Sequence, residues 1–272
     1  MMRLLRLRTA VAACAIAAAG TLTVGAGPAV AQDLPTVVLV HGAFADTTSW
    51  DAVAAELRGR GYEVVVPDNP LRGPAYDSAA IEKVLADIPA PVVLVGHSYG
   101  GAVITNVHSP NVEALVYVAA FAPAQGEPVM LNLDPIRFPG SQLLPPVLQV
   151  KVVENDPTGI AGRNLDGYID PGRFREVFAQ DVPDATVADM IAHQKSAALV
   201  ANLEPTADPS WASTPSWAMV AQNDRVIPAA AERFMATRAG ARITEVPASH
   251  AVLVSQPGAV ADLVVQADQG TP

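Results

Sequence analysis

The residues with the strongest claim to chemistry are Gly96-His97-Ser98-Tyr99-Gly100. A serine hydroxyl is a weak nucleophile at neutral pH and needs a base to take its proton. In a G-x-S-x-G arrangement a sharp turn between strand and helix lifts the serine side chain clear of the backbone, and the flanking glycines leave room for that turn. The neighbours agree with this reading. Pro91-Val92-Val93-Leu94-Val95 is a strand candidate just upstream, and Gly101-Ala102-Val103-Ile104 opens an apolar helix downstream. Ser98 is the candidate nucleophile; the alternative is a chance match on a surface turn.

Five histidines compete for the role of base: His41, His97, His108, His193 and His250. His97 adjoins the serine, but a strained turn sends its side chain elsewhere, into packing. His41 follows the first strand candidate and shapes the loop there. His108 falls about 15 Å along the helix after Ser98, if that helix runs so far. His193 suits a surface position or a contact with substrate. His250, in Pro247-Ala248-Ser249-His250-Ala251, lies four residues past the last strand candidate, where a loop carries it to the carboxyl end of a sheet.

The imidazole of such a base is held in one tautomer by a carboxylate. Asp224 follows the Trp217 to Val220 strand candidate as His250 follows the next, so both arrive at one end of the sheet. Its other reading is a cap on the helix that starts near Pro228. Asp68 is a weaker rival, because it breaks the Ser, Asp, His order that accompanies this kind of turn, and Glu204 is weaker again. Charge developing on an attacked carbonyl oxygen needs donors already in place. Tyr99 offers its backbone N–H at the helix start, and the second is expected from His41-Gly42-Ala43-Phe44, with Ala43 the choice and Phe44 beside it. Phe44 can instead supply an apolar wall, and Phe44, Tyr99 and Phe121 are candidates to line a substrate pocket.

These side chains need a scaffold. Thr36 to Val40, Glu63 to Val66, Val92 to Val95, Ala114 to Val118 and Trp217 to Val220 are valine-rich runs without strict alternation, as expected for strands covered on both faces of a parallel sheet. Arg242 to Val246 alternates more and belongs nearer an edge. Ser49 can cap a helix over Trp50 to Leu57, ended by Gly59 or Gly61, and Asp77 or Ser78 can start another that Pro89 stops. Further helices are expected at about 228–238 and 257–265. Strand alternating with helix argues for an α/β sandwich. From Pro123 to about Pro215 the alternation fails amid prolines and glycines, with helical candidates at Arg173 to Gln180 and Thr186 to Leu203. So long a stretch is more than a loop; it reads as an insertion over one end of the sheet that walls a pocket, the alternative being a surface excursion.

The chain opens with Arg3, Arg6 and Arg8, continues through a small-residue apolar run from Val11 to Val24, and reaches Ala29-Val30-Ala31. That pattern is expected of a secretory leader over 1–31 and a secreted or extracytoplasmic domain over 32–272; a retained membrane anchor is the alternative. Cys14, the only cysteine, falls within the leader. The remaining domain then folds without disulfides, and cysteine nucleophiles and zinc–thiolate sites are excluded. Without the leader's three arginines the chain has 14 basic and 27 acidic residues, a net charge of −13, which repels nucleic acid and anionic membranes at long range.

Taken together, these residues resemble the α/β-hydrolase family, and within it the esterase-like members related to plant methylesterases and hydroxynitrile lyases. The resemblance rests on His41-Gly42-Ala43-Phe44, Gly96 to Gly101, Val116-Tyr117-Val118-Ala119-Ala120-Phe121 with Pro123 and Gly126, Asp224 to Pro228, and Ser249-His250-Ala251. It implies an α/β-hydrolase fold with a mostly parallel central sheet flanked by helices and a small helical cap insertion. It also implies Ser98 as nucleophile, His250 as base and Asp224 as the acid that orients it. Related hydroxynitrile lyases carry a lysine after the catalytic histidine; Ala251 stands there, which argues against lyase chemistry. The expected activity is two-step hydrolysis of a small or medium apolar ester, with no cofactor or metal required and no membrane span left after leader cleavage. Acyl transfer, lactone opening by the same triad, or a catalytically inert binding module are the alternatives.

Overall fold

The computed structural model describes residues 34–271; the expected leader lies outside the described residues. The first half of the chain alternates as its valine runs require: β1 (Thr36–Val40), α1 (Asp51–Gly59), β2 (Val64–Val65), α2 (Pro74–Ala86), β3 (Val92–His97), α3 (Tyr99–Thr105) and β4 (Val112–Val118). An inserted segment follows, containing β5 (Leu148–Glu154), β6 (Arg163–Ile169), α4 (Pro171–Phe178), α5 (Asp184–Ala192) and β7 (Ala197–Ala198). The chain then returns to the sheet with β8 (Ser216–Ala221), α6 (Ala229–Arg238), β9 (Arg242–Val246), α7 (Val252–Ser255) and α8 (Pro257–Gly270).

Six strands form one parallel sheet in the order β2-β1-β3-β4-β8-β9. Every residue of β1, β3 and β8 is buried, which accounts for runs that are apolar throughout rather than at alternate positions. Successive side chains still serve opposite faces. Val38, Val40 and Leu94 join Ile81, Ile104 and Met235 in one layer, while Val37, Leu39, Val93 and Val95 join Val53, Leu57, Val260 and Leu263 in the other. β9 lies at one edge of the sheet, as its alternation predicts, and β2 at the other.

Two helix starts differ from expectation. Asp46, not Ser49, caps the single 3₁₀ turn Thr47–Trp50 that leads into α1, accepting the Thr48 amide proton at 2.9 Å; the Ser49 hydroxyl instead donates to the Asp46 carbonyl at 2.7 Å. α2 begins at Pro74, ahead of Asp77, because proline at the first position needs no N–H partner. Asp77 then sits inside the first turn and accepts the Arg72 amide proton at 3.0 Å.

The expected cap insertion is present, and it carries strands beside its helices. β5, β6 and β7 form a three-stranded antiparallel sheet. The alternation Gln149-Val150-Lys151-Val152 has the period of a strand, and Asn155, Ala161 and Gly162, all at positive φ, turn the chain between β5 and β6. The first helical candidate becomes α4. The second divides: α5 ends at Ala192, and the chain after it extends to pair β7 with β6 before a 3₁₀ turn over Leu199–Asn202. Arg72, on the sheet side, grips this cap through Asp156 and Asp166. Among the described residues no helix is long and apolar enough to cross a membrane.

Candidate active site

The turn at Ser98 is as tight as the motif demands. Ser98 has φ 55° and ψ −123° between the end of β3 and the start of α3, a conformation that costs a non-glycine residue free energy and persists only when its surroundings hold it. The Ser98 amide donates to the Val118 carbonyl at 3.3 Å, and the Phe121 and Gly101 amides donate to the Ser98 carbonyl at 3.2 and 3.0 Å. A Cβ on Gly96 would lie 2.6 Å from the Gly100 carbonyl oxygen, so the spacing of small residues around the serine is steric.

The three residues expected to act together are brought together. The Ser98 hydroxyl donates to His250 Nε2 at 2.8 Å, and His250 Nδ1–H donates to Asp224 Oδ2 at 2.5 Å. The carboxylate thus selects the tautomer whose free nitrogen faces the serine. Asp224 also performs part of its alternative role, since its Oδ1 accepts the Val226 and Ile227 amide protons at 2.6 and 2.8 Å. One oxygen therefore fixes the loop before α6 while the other fixes His250. The assembly is enclosed: His250 is fully buried and Ser98 only 4% exposed.

Asp68, the rival acid, is taken by Lys195, whose Nζ lies 2.6 and 2.8 Å from its two oxygens. Glu204 accepts the Ala75 amide proton at 3.0 Å. His108 and His193 are exposed. His41 shapes its loop as expected: its Nδ1–H donates to the Gly42 carbonyl at 2.9 Å and its Nε2 accepts the Asn69 amide proton at 3.0 Å. Burial lowers its pKa, consistent with this neutral form. His97 does more than pack. Its Nε2–H donates to the His250 carbonyl at 2.9 Å, tying the loop of one histidine to the turn of the serine. Burial, and then the nearness of His250, press its pKa well below the usual histidine value.

Two backbone amides are available near Ser98. Tyr99 is the first residue of α3, where an amide has no partner within the helix. The Ala43 amide donates to no group among the described residues, whereas the Phe44 amide donates to the Lys195 carbonyl at 3.1 Å. Of the two alternatives on that loop, Phe44 is thus excluded as a donor. The loop also abuts the nucleophile, because a Cβ on Gly42 would lie 2.7 Å from Ser98 Cβ. Phe44 borders a cavity of about 70 Å³ with Thr186, Met190 and His193, between this loop and α5. The Tyr99 hydroxyl turns away from the serine to donate to Asp77 at 2.8 Å, and Phe121 is buried beside the turn.

Sequence reasoning missed the part played by the insertion. Phe178 stands edge-on to the His250 ring and stacks on Phe174. Asp181 accepts the Ser249 amide proton and the Ser255 hydroxyl proton, both at 2.9 Å. The Gln180 side chain donates to the Asn223 carbonyl at 2.6 Å, and Arg225 donates to the Glu176 carbonyl at 3.0 Å. The end of α4 and the residues after it therefore hold the loops of both Asp224 and His250. No local spacing signals such contacts; the polar pair Gln180-Asp181 just after an apolar helix face is the only hint.

The sequence characteristics of the Alpha/beta hydrolase family match residues 37–263. A pyrethroid hydrolase of Sphingobium wenxiniae is 27% identical over 251 residues, covering 84% of this chain and 85% of that protein. A carbendazim hydrolyzing esterase of Nocardioides sp. (strain SG-4G) is 35% identical over 111 residues, which is 35% of this chain and less than half, 46%, of that protein. Among solved structures, a pyrethroid hydrolase from Sphingobium faniae JZ-2 is 26% identical with a TM-score of 0.68, covering 86% of this chain and 97% of that one. Polyneuridine aldehyde esterase, 19% identical with a TM-score of 0.72 over 86% of this chain and 98% of its own, shares the fold. The chain belongs to the alpha/beta hydrolase family, and Ser98, His250 and Asp224 have the hydrogen-bonded geometry of a serine hydrolase.

Proposed function

We propose that this protein hydrolyses small or medium apolar carboxylic esters through an acyl-enzyme on Ser98. The observation that carries the reading is the continuous relay from the Ser98 hydroxyl through His250 to Asp224. His250 takes the serine proton as the oxygen attacks the ester carbonyl. The oxyanion rests on the Ala43 and Tyr99 amides, worth roughly 10²- to 10³-fold per donor in comparable sites. Protonated His250 then delivers its proton to the leaving alcohol, and water repeats the cycle on the acyl-enzyme. This sequence of proton transfers uses no metal or organic cofactor. Phe44 and Phe121 provide apolar surface for the acyl or alkoxy part, and the enclosure of Ser98 favours a small ester over a polymer. The related proteins named as a pyrethroid hydrolase and a carbendazim hydrolyzing esterase support hydrolysis of a small molecule.

Kinship within the family lies with its esterases. The place of the lyase lysine is held by Ala251, which is buried with its amide donating to the Phe178 carbonyl. We further propose that residues 1–31 direct export and that the working protein begins at Gln32, as the arginine-led apolar run and Ala29-Val30-Ala31 suggest. A fluorophosphonate probe should label Ser98, and Ser98→Ala should abolish both labelling and ester turnover with the fold kept. Absence of a serine adduct under conditions that label an active esterase overturns the enzyme reading in favour of an inert binding module.

A further inference from the structure

Near Asp224, at the end of β8, stands a second carboxyl that the reaction sequence leaves unused. Glu232, in the first turn of α6, is 3% exposed. Its Oε2 accepts the Ala221 amide proton at 3.1 Å, which binds it to the end of β8. Its Oε1 meets no donor among the described residues, and Asp224 hangs on the same residue of the strand end, its own amide donating to the Ala221 carbonyl at 3.1 Å. Asp224 has already committed both oxygens, to the Val226 and Ile227 amides and to His250.

The groups around this pair do not neutralise a second negative charge. Arg233, next in the helix, is engaged on the outside by Glu245 at 2.7 Å. Tyr117 borders the same small apolar space as Glu232, with Ala120, Ala218 and Ala236, and its hydroxyl is paired with Thr105. Two carboxylates side by side away from water favour sharing a proton over double ionisation. Burial, and then the charge of Asp224, push the Glu232 carboxyl well above the ordinary range, which agrees with the geometry.

We propose that Glu232 is a protonated positioning residue whose Oε1–H donates to the Asp224 carboxylate, orienting it for His250 without adding charge to the triad. An ionised Glu232 would place a second negative charge behind His250 and loosen Asp224 by repulsion. The proton gives Asp224 a third kind of anchor besides the loop amides and the imidazole.

This inference rests on the triad reading, so the first test does not depend on turnover. An infrared difference spectrum between wild type and Glu232→Gln at neutral pH should contain a wild-type band of a buried, un-ionised carboxylic acid that shifts on deuteration. If no such band exists, the proposal fails whatever the activity. Gln supplies an amide N–H to Asp224 and an oxygen to the Ala221 amide. Glu232→Gln should therefore keep most of the kcat that Glu232→Leu loses, the latter falling roughly tenfold with KM little changed. The acid limb of kcat/KM, which reports protonation of the base, should stay in place in Glu232→Gln. A downward move of about half a pH unit or more means that a charge was removed, and overturns the proposal. Wild-type kcat in Glu232→Leu overturns the positioning role; if that variant does not fold, the spectrum and pH profile of Glu232→Gln still decide.

Discussion

His250 and Phe178 meet edge to face, with ring centroids 4.7 Å apart and planes at 80°, and the Phe178 carbonyl accepts the Ala251 amide proton at 3.0 Å. The imidazole is thus bounded by Asp224 at one nitrogen, Ser98 at the other, and an aromatic edge from the cap. Phe178 is 1% exposed, so Phe178→Ala should cost about 3–5 kcal/mol of stability through the cavity it leaves. Phe178→Leu keeps most of the volume and isolates the effect on geometry. We expect it to lower kcat roughly tenfold, since small displacements of a catalytic group are costly. Ester kinetics beside thermal denaturation checks this, and wild-type kcat in Phe178→Leu would refute it.

Asp181 holds the His250 loop by polar contacts where Phe178 holds it by packing. Asp181→Ala should reduce kcat several-fold by freeing Ser249 and Ser255. Asp181→Asn, which retains an acceptor oxygen, should recover most of that loss. Equal activity in both variants, measured at saturating ester, would show that the loop needs no such anchor.

Gly42 lets the loop that carries the proposed oxyanion donor lie against the nucleophile. A methyl group there would sit 2.7 Å from Ser98 Cβ and 2.8 Å from the His97 carbonyl oxygen. Gly42→Ala must move the loop, carrying the Ala43 amide with it. The expected result is a loss of about 10²-fold or more in kcat in a protein whose circular dichroism spectrum is unchanged. Near-normal turnover would remove the Ala43 amide from the proposed oxyanion site.

Asp156, held by Thr158 and by Arg72, makes stability depend on acid pH. Burial acts to raise the Asp156 carboxyl, but the Thr158 hydroxyl and amide and the Arg72 guanidinium outweigh it and hold the pKa at about 2, against 3.8 for the free side chain. A depressed folded-state value gives stability that is full above the unfolded pKa and lost as pH falls through the folded one. Wild type should therefore lose its advantage over Asp156→Asn between about pH 4 and pH 2. Denaturant unfolding of both proteins across that window tests this, and a gap independent of pH would contradict it.

Much of the scaffold was legible because its signals are local. The runs Thr36 to Val40 and Arg242 to Val246 match β1 and β9 residue for residue, and Ser98, Asp224 and His250 were each marked by a strand and a following loop. The β5–β6 hairpin was hidden because the alternation at Val150 and Val152 is short and is flanked by the turn-forming prolines and glycines of the insertion. Asp46 was not legible as a cap because a 3₁₀ turn precedes α1, shifting the start ahead of Ser49. The contacts of Phe178, Asp181 and Glu232 join residues tens of positions apart or opposite sides of one loop. Their roles arise from how α4 and α6 are laid against the sheet, which no spacing records.

The chain offers obvious cut points on either side of the inserted segment, near Pro123 and Pro215, for anyone wishing to graft a different cap and change the ester accepted. Such a graft would carry off Glu176, Phe178, Gln180 and Asp181, and with them the hydrogen bonds that fasten Asn223, Arg225, Ser249 and Ala251. Any change of selectivity made this way puts catalytic competence at stake as well: a new cap must bring its own equivalents of those four residues, or the recipient's acid and base lose their seat.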